Sequence, residues 1–357
     1  INQYLVRFDT QGGSDVDSQY VTYNDTVAKP IDPTRSGYAF DGWYEDLECT
    51  KKWNFGTMKI IFVDTIYAKW LFICTVTFDG RSATTQPVPA SKIVVEGETV
   101  GTLPTAPTKT GCTFAGWYTG IVGSGTVFTA STPVTGDITV YALWTMSDGE
   151  GNVYKTVSIG SQVWTVENLR TTKYNDGTDI PHVTDGDQWS DLTTPVYCWY
   201  DNSTDPAEQE KWGALYNWYA VNTGKLAPEG WRVPTYAEWD TLQNYLIANG
   251  YNWDGTTSGN KIAKSMATQT DWTSTTTTVG IGNDPSKNNV SGFSAFPGGR
   301  RNDDGNFGLI GLYGFWWSAT EYIASSAFYR LLAYNDEYLI NGYGYKVYGF
   351  SVRLLRD

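Results

Sequence analysis

One histidine in 357 residues, His182, rules out two-histidine metal sites and any relay that needs a second imidazole. Cysteine is scarce as well. Cys49, Cys74, Cys112 and Cys198 show no CxxC spacing and no histidine cluster beside them, which argues against zinc. They leave open either one or two disulfides or four unpaired thiols. Basic residues are outnumbered, 25 Lys and Arg against 38 Asp and Glu, for a formal net charge of −13. Phosphate binding needs a basic surface, so nucleic acid is not an expected partner. No apolar run reaches the ~18 residues of a membrane-spanning helix. The chain also lacks His-Glu-x-x-His, Gly-x-Ser-x-Gly, a phosphate-binding Gly-Lys loop and a dinucleotide glycine fingerprint. No enzyme and no cofactor are expected, with calcium left open. The chain opens at Ile1 without a charged-then-apolar leader, which reads as a trimmed mature fragment whose export signal lies out of view.

What is present is aromatic residue, at 15%, and glycine, at 37. Disordered chains are aromatic-poor, and this mixture suits short strands joined by many turns. The strongest pattern is internal repetition. Pro33-Thr34-Arg35-Ser36-Gly37-Tyr38-Ala39-Phe40-Asp41-Gly42-Trp43-Tyr44 returns 74 residues later as Pro107-Thr108-Lys109-Thr110-Gly111-Cys112-Thr113-Phe114-Ala115-Gly116-Trp117-Tyr118. At the same offset Thr65-Ile66-Tyr67-Ala68-Lys69-Trp70 returns as Thr139-Val140-Tyr141-Ala142-Leu143-Trp144. The opening strands Val6–Asp9 and Val76–Asp79 match at offset 70, so an intervening loop differs in length. Ile66, Ala68 and Trp70 alternate with Tyr67 and Lys69, a half-buried strand period whose outer face tolerates the Lys69-to-Leu143 change. Gly42 and Gly116 mark a bulge or a close backbone approach. The short link Leu71–Thr75 favours a stiff head-to-tail rod. Trp43, Tyr44, Trp117 and Tyr118 are read as core rather than as a sugar-stacking platform.

The Gly-Tyr-x-Phe-x-Gly-Trp-Tyr core and the closing Tyr-Ala-x-Trp strand resemble the Listeria–Bacteroides repeat, related to the internalin B-repeat, over about residues 2–145. The resemblance implies small β-grasp-like modules used as a stalk or adhesive spacer in a secreted or surface-anchored protein.

After Trp144 the texture changes. Val153–Ile159 and Gln162–Val166 read as a hairpin across Gly160-Ser161. Helices are expected over Trp212–Val221, after the Thr235-x-x-Glu238 capping box with Trp239, Leu242 and Leu246 as its apolar stripe and Asn249-Gly250 as its end, and over Lys261–Ala267. Strands are expected at Trp316–Ser318, Ala327–Leu332 and Gly349–Leu354. The runs Glu167-Asn168-Leu169-Arg170, Gly213-Ala214-Leu215-Tyr216-Asn217-Trp218, Gly230-Trp231-Arg232-Val233-Pro234-Thr235, Pro297-Gly298-Gly299-Arg300, Trp316-Trp317-Ser318-Ala319-Thr320-Glu321 and Gly349-Phe350-Ser351-Val352-Arg353 resemble, in order, the Fibrobacter succinogenes major paralogous domain. That resemblance implies an α+β C-type-lectin-like fold of the formylglycine-generating-enzyme type. It does not imply that enzyme's activity, because no cysteine follows Cys198. It also implies a lost disulfide where this chain has Ala227 and Leu354, with aromatic packing in its place. The expected domains are 1–71, 72–146 and 147–357.

Between Tyr313 and Tyr348 lie eight tyrosines interleaved with Asn, Ser, Gly and acids. Tyrosine offers large amphipathic contact at low entropy cost and the small polar residues offer adaptable hydrogen bonds, which is the chemistry of a binding surface. A strand-filling role stays open beside it. The candidate ligand-binding residues are Tyr334, Asn335, Asp336, Tyr338, Asn341 and Tyr343, with Arg300 and Arg301 for an acidic ligand unless they pair with Asp303 or Asp304. Asp303 and Asp304 are the candidate calcium ligands; Asp148–Asn152 is a second oxygen-rich loop, and neither has the twelve-residue helix–loop–helix spacing. The expected function is non-enzymatic: a repeat stalk with a lectin-like head at the outer cell surface or outside it. The head would recognise a glycan or a host or bacterial surface protein. A structural role in the cell envelope is the alternative.

Overall fold

The computed structural model describes residues 2–357, a multidomain, strongly β-rich chain with few helices. Two compact units form. The first comprises the described residues up to Asp79 with Gln86–Ala106 and Thr126–Tyr141; the second comprises Gly80–Thr85, Pro107–Gly125 and Ala142–Asp357.

In the first unit Gln3–Asp9 pairs antiparallel with Gln19–Thr22 and parallel with the start of the long strand Asp64–Asp79, Val6 opposite Asp64. The same parallel pairing recurs one repeat later, Val76 opposite Ile138. Tyr38–Tyr44 lies antiparallel to the long strand, and its register slips between Phe40 and Gly42. Asp41 is the extra residue of this bulge, and Gly42 beside it lies at φ +144°; a Cβ there would come within 2.6 Å of the Lys52 side chain. Residues 71–75 lie inside the long strand, so the link between repeats is a strand itself. Trp43 is core, edge-on to Phe8 and Phe40 at 5.0 and 5.5 Å.

The second unit incorporates the turn of the second repeat. Lys109 Nζ donates to Ser158 Oγ (2.6 Å), Arg356 Nη1 to Thr110 O (2.6 Å) and Trp231 Nε1 to Gly111 O (3.3 Å). Leu143 is buried against Gly123, whereas Lys69 is partly exposed and faces Asp41 at 3.7 Å. The expected tolerant outer face therefore holds only for the first copy. Burial pulls the Lys109 ammonium down from 10.5 to about 8. Between those values the unfolded chain holds the extra proton, so this group makes folding more favourable as pH rises from about 8 towards 10.5. Lys109→Met is expected to flatten that rise in chemical denaturation at pH 8 and pH 10; an unchanged slope contradicts it.

The hairpin Val153–Ile159 with Gln162–Thr165 forms as expected, turning at Gly160. A second sheet runs in the order Phe307–Ile310, Gly298–Arg301, Tyr313–Ile323, Ser326–Ala333, Ile340–Tyr345. Its central strand sends Trp316 to one apolar cluster, with Trp164, Trp239, Phe293 and Leu332, and Trp317 to the other, with Tyr216, Phe315 and Phe350. The capping box closes both ways: Glu238 N–H donates to Thr235 Oγ1 (3.3 Å) and Thr235 N–H to Glu238 Oε2 (2.8 Å). Tyr236–Ala248 follows, with Trp239, Leu242 and Leu246 fully buried.

Two expected elements differ. Trp212–Val221 is no single helix: Pro206–Trp212 ends there, Ala214–Tyr216 is a strand and Trp218–Val221 a single turn. Gly213, at φ +74°, breaks the run, since a Cβ there would meet Leu169 O at 2.9 Å. Gly349–Leu354 is not a continuous strand. It makes separate bridges from Gly349 to Arg301, Phe350 to Tyr216 and Ser351 to Trp316, before a short strand at Leu355–Arg356. All four cysteines are free, so the disulfide alternative is set aside. Cys198 is buried, which pushes its thiol up to about 12. Ala227 and Leu354 are both buried in the Trp317 cluster.

Candidate functional site

A cleft of about 600 Å³ opens in the second unit beside the loop that follows Ala333. Local sequence builds each wall. The capping-box helix ends at Asn249, where Gly250, at φ +76°, lets Tyr251 N–H reach back to Leu246 O (3.0 Å). Buried Asn252 then pins the next loop, its Nδ2 donating to Thr256 O, Ser258 O and Gly259 O at 2.8–3.1 Å, while its Oδ1 accepts from Lys261 N–H. That clamp leaves Trp253 41% exposed in the cleft wall, its indole N–H donating to Glu337 Oε2 (2.5 Å). The opposite wall is the loop through Thr278, Asn283 and Asp284. It is tied to the tyrosine-rich segment by Gly282 N–H donating to Tyr334 O (2.8 Å). Lys264, from the short helix Ala263–Met266, donates from Nζ to Asn283 O. Burial lowers the Lys264 pKa; hydrogen bonds from Lys287 and Ser286 lower that of Asp284.

The candidate residues fall in three places. Tyr334, Asn335, Asp336 and Tyr338 form the loop beside the cleft, with Asn335 and Tyr338 exposed and Tyr334 half-buried. Asn341 and Tyr343 lie on the edge strand Ile340–Tyr345, where Tyr343 is 59% exposed and stacks on Tyr322 at 4.2 Å. Arg300 is half-buried, with its guanidinium over the Phe315 and Tyr348 rings. Arg301 leaves the ligand-binding set. It is 1% exposed, donates to Gly305 O, Val183 O and Thr184 O, and lies over Trp189 and Phe307. Neither arginine forms an ion pair with Asp303 or Asp304 among the described residues. Four of the eight tyrosines are exposed, Tyr322, Tyr338, Tyr343 and Tyr345; the other four are half-buried.

Asp304 Oδ1 accepts from Asn306 N–H (3.0 Å) and so stabilises its own turn. Asp148 has both oxygens occupied, by Glu150 N–H, Asn152 N–H, Asn152 Nδ2 and Tyr154 OH. Among the described residues no three His, Cys, Asp or Glu side chains form a metal-binding group. Exposed His182 stacks on Tyr197 at 4.8 Å. The cleft itself was missed in the sequence. Its signal was Trp253, a tryptophan set between Asn252 and Asp254-Gly255, where a large apolar side chain in a polar turn has no core to enter.

The model for the Fibrobacter succinogenes major domain matches residues 157–356. The chain belongs to that family. The Listeria-Bacteroides repeat domain matches 4–69 and 75–143. Thus this family member carries its major domain after two repeats, and the cleft lies within the major domain. Among relatives, it is 35% identical over 163 residues (45% of this chain, 18% of the relative) to a protein of Evansella cellulosilytica named as a Gly-rich membrane protein. A second Evansella cellulosilytica protein, named as a membrane protein, is 30% identical over 258 residues (69% of this chain, 33% of the relative). Internalin H of Listeria monocytogenes is 36% identical over 151 residues (41% of this chain, 26% of that protein). The chain therefore spans a third or less of each. The families and relatives matched are of non-enzymatic kinds. No helix among the described residues is long and apolar enough to cross a membrane.

Proposed function

We propose that this chain is the ligand-binding part of a surface-associated repeat protein, with β-grasp-like repeats as spacer and a C-type-lectin-like major domain as head. The head holds a saccharide in the Trp253 cleft without covalent chemistry. The carrying observation is the cleft: its volume lies in the ~300–1,000 Å³ range of small-molecule sites. Its wall combines an exposed indole, the Tyr251 ring, the amides of Asn249 and Asn283 and the charges of Lys264 and Asp284. Aromatic faces cover the C–H side of a sugar ring while fixed amides and charges sort its hydroxyls. The kinship with a Listeria internalin and with proteins named as membrane proteins supports a cell-envelope setting.

A second reading rests on the edge strand. Tyr343 and Tyr345 are exposed there, and an unpaired strand edge accepts an added strand from a protein partner. A glycan array separates the two. Binding by the full chain that falls about tenfold or more in Trp253→Ala, and stays in Tyr343→Ala, supports the cleft. An array without signal, together with an envelope protein retained by the chain and lost in Tyr343→Ala, overturns it.

A further inference from the structure

The cleft holds a buried cation with no carboxylate in direct contact. Lys264 is 6% exposed, and its ammonium donates to a neutral carbonyl, Asn283 O. Among the described residues no carboxylate lies within ion-pair distance of it. The nearby acids are engaged elsewhere: Asp284 with Lys287 (2.8 Å) and Ser286 Oγ (2.6 Å), Asp254 with Lys261 (2.6 Å), Glu337 with the Trp253 indole. An acidic chain of net charge −13 thus lines this cleft with two lysines, Lys264 and Lys287, and one aspartate, Asp284. Asp284 attracts Lys264 at longer range and Lys287 opposes that attraction, so burial still holds the Lys264 pKa down: a buried ammonium with no carboxylate in direct contact is costly. An arriving anion relieves it.

We propose that the cleft selects a saccharide bearing a carboxylate, a uronate or a sialate, with Lys264 as the counter-charge and the Trp253 face as the stacking surface. This deepens the saccharide reading above and rests on it. The ammonium carries three N–H donors, so it keeps its bond to Asn283 O and still offers charge-assisted hydrogen bonds to the ligand. Lys287, on the rim, adds a longer-range attraction that salt screens. The Asn249 and Asn283 amides donate from Nδ2 to Tyr245 O and Thr275 O, which leaves their Oδ1 atoms for hydroxyl groups.

Isothermal titration of the full chain with 3′-sialyllactose, a glucuronate-ended disaccharide and lactose tests the assignment. At least one acidic sugar is expected to bind about tenfold more tightly than lactose. Lys264→Gln keeps a donor for Asn283 O and removes the charge; it is expected to bring the acidic sugar down to the lactose level. Trp253→Ala is expected to weaken acidic and neutral sugars alike. Should Lys264→Gln fail to fold, the wild-type salt series replaces it, with acidic-sugar affinity falling as salt rises and lactose affinity steady. Equal binding of acidic and neutral sugars, or a preference that survives Lys264→Gln or is indifferent to salt, overturns the carboxylate assignment and leaves the saccharide reading in place. A folded wild type that binds none of the three sugars overturns both.

Discussion

Arg353→Ala is expected to remove about 4 kcal/mol or more of stability from the second unit, a large fraction of the ~5–15 kcal/mol that holds a domain folded. Arg353 is fully buried. Its Nε donates to Asn168 Oδ1 (2.8 Å), Nη1 to Thr165 O (2.8 Å) and Phe293 O (3.0 Å), and Nη2 to Ser294 O (2.8 Å). The guanidinium also lies over the Phe293 ring at 5.0 Å. One side chain therefore joins three segments distant in sequence. Truncation leaves three buried carbonyls without these donors; each unsatisfied group costs about 1–3 kcal/mol. Asn168 Oδ1 still accepts from Trp316 Nε1 (2.9 Å), so that acceptor is not orphaned. Arg353→Lys is expected to recover part of the loss, because a single ammonium cannot reproduce the planar fork. Urea titration of the three proteins provides the check. A midpoint for Arg353→Ala within about 1 kcal/mol of wild type contradicts the assignment.

Gly282→Ala is expected to cost about 3 kcal/mol and to dismantle the cleft wall. Its backbone is packed so closely that an added Cβ would sit 1.9 Å from Thr273 O and 3.2 Å from Ser274 Cα. These are backbone atoms and no rotamer change relieves the contact. Gly282 also ties the cleft loop to Tyr334 through its N–H. The variant is therefore expected to lower the melting temperature and, at temperatures where it remains folded, to lose saccharide binding. A Gly282→Ala protein that binds and melts like wild type would show that the wall is not built on this contact. Gly230, at φ +80° with open space about its Cβ position, is the contrasting case: alanine there meets backbone strain but no wall.

Local signals were legible where the chemistry is local. The capping box at Thr235 and Glu238, the hairpin turning at Gly160 and the Asn249-Gly250 helix end all rest on contacts within a few residues, and all three formed. The Trp212–Val221 helix was misread because aromatic spacing alone does not report that Gly213 must lie against the Leu169 carbonyl, an approach set by tertiary packing. The continuous strand expected over Gly349–Leu354 fails for a related reason. Alternation shows that side chains point two ways, but not that the backbone bonds three different neighbours in turn. Arg301 had the composition of a ligand contact and the surroundings of a core residue; its three carbonyl acceptors lie on segments near positions 183 and 305, invisible to sequence spacing. The tyrosine-rich stretch, left open between the two roles, divides by exposure: Tyr343 and Tyr345 face solvent while Tyr329 and Tyr348 lie half-buried around Phe350. The cleft needed the segments 249–253 and 278–290 to meet around Lys264 and Ser265, with the 334–338 loop bracing both segments from outside, and no short motif encodes that meeting.

The Trp253 indole N–H is the most direct reporter of the central claim, that a saccharide is held against this side chain. Its resonance in a proton–nitrogen correlation spectrum, assigned with Trp253→Phe, is expected to move as an acidic oligosaccharide is titrated into the full chain, while the indoles of buried Trp316 and Trp317 stay fixed. Saturable binding that leaves the Trp253 signal in place and instead perturbs Tyr343 and Tyr345 contradicts the account.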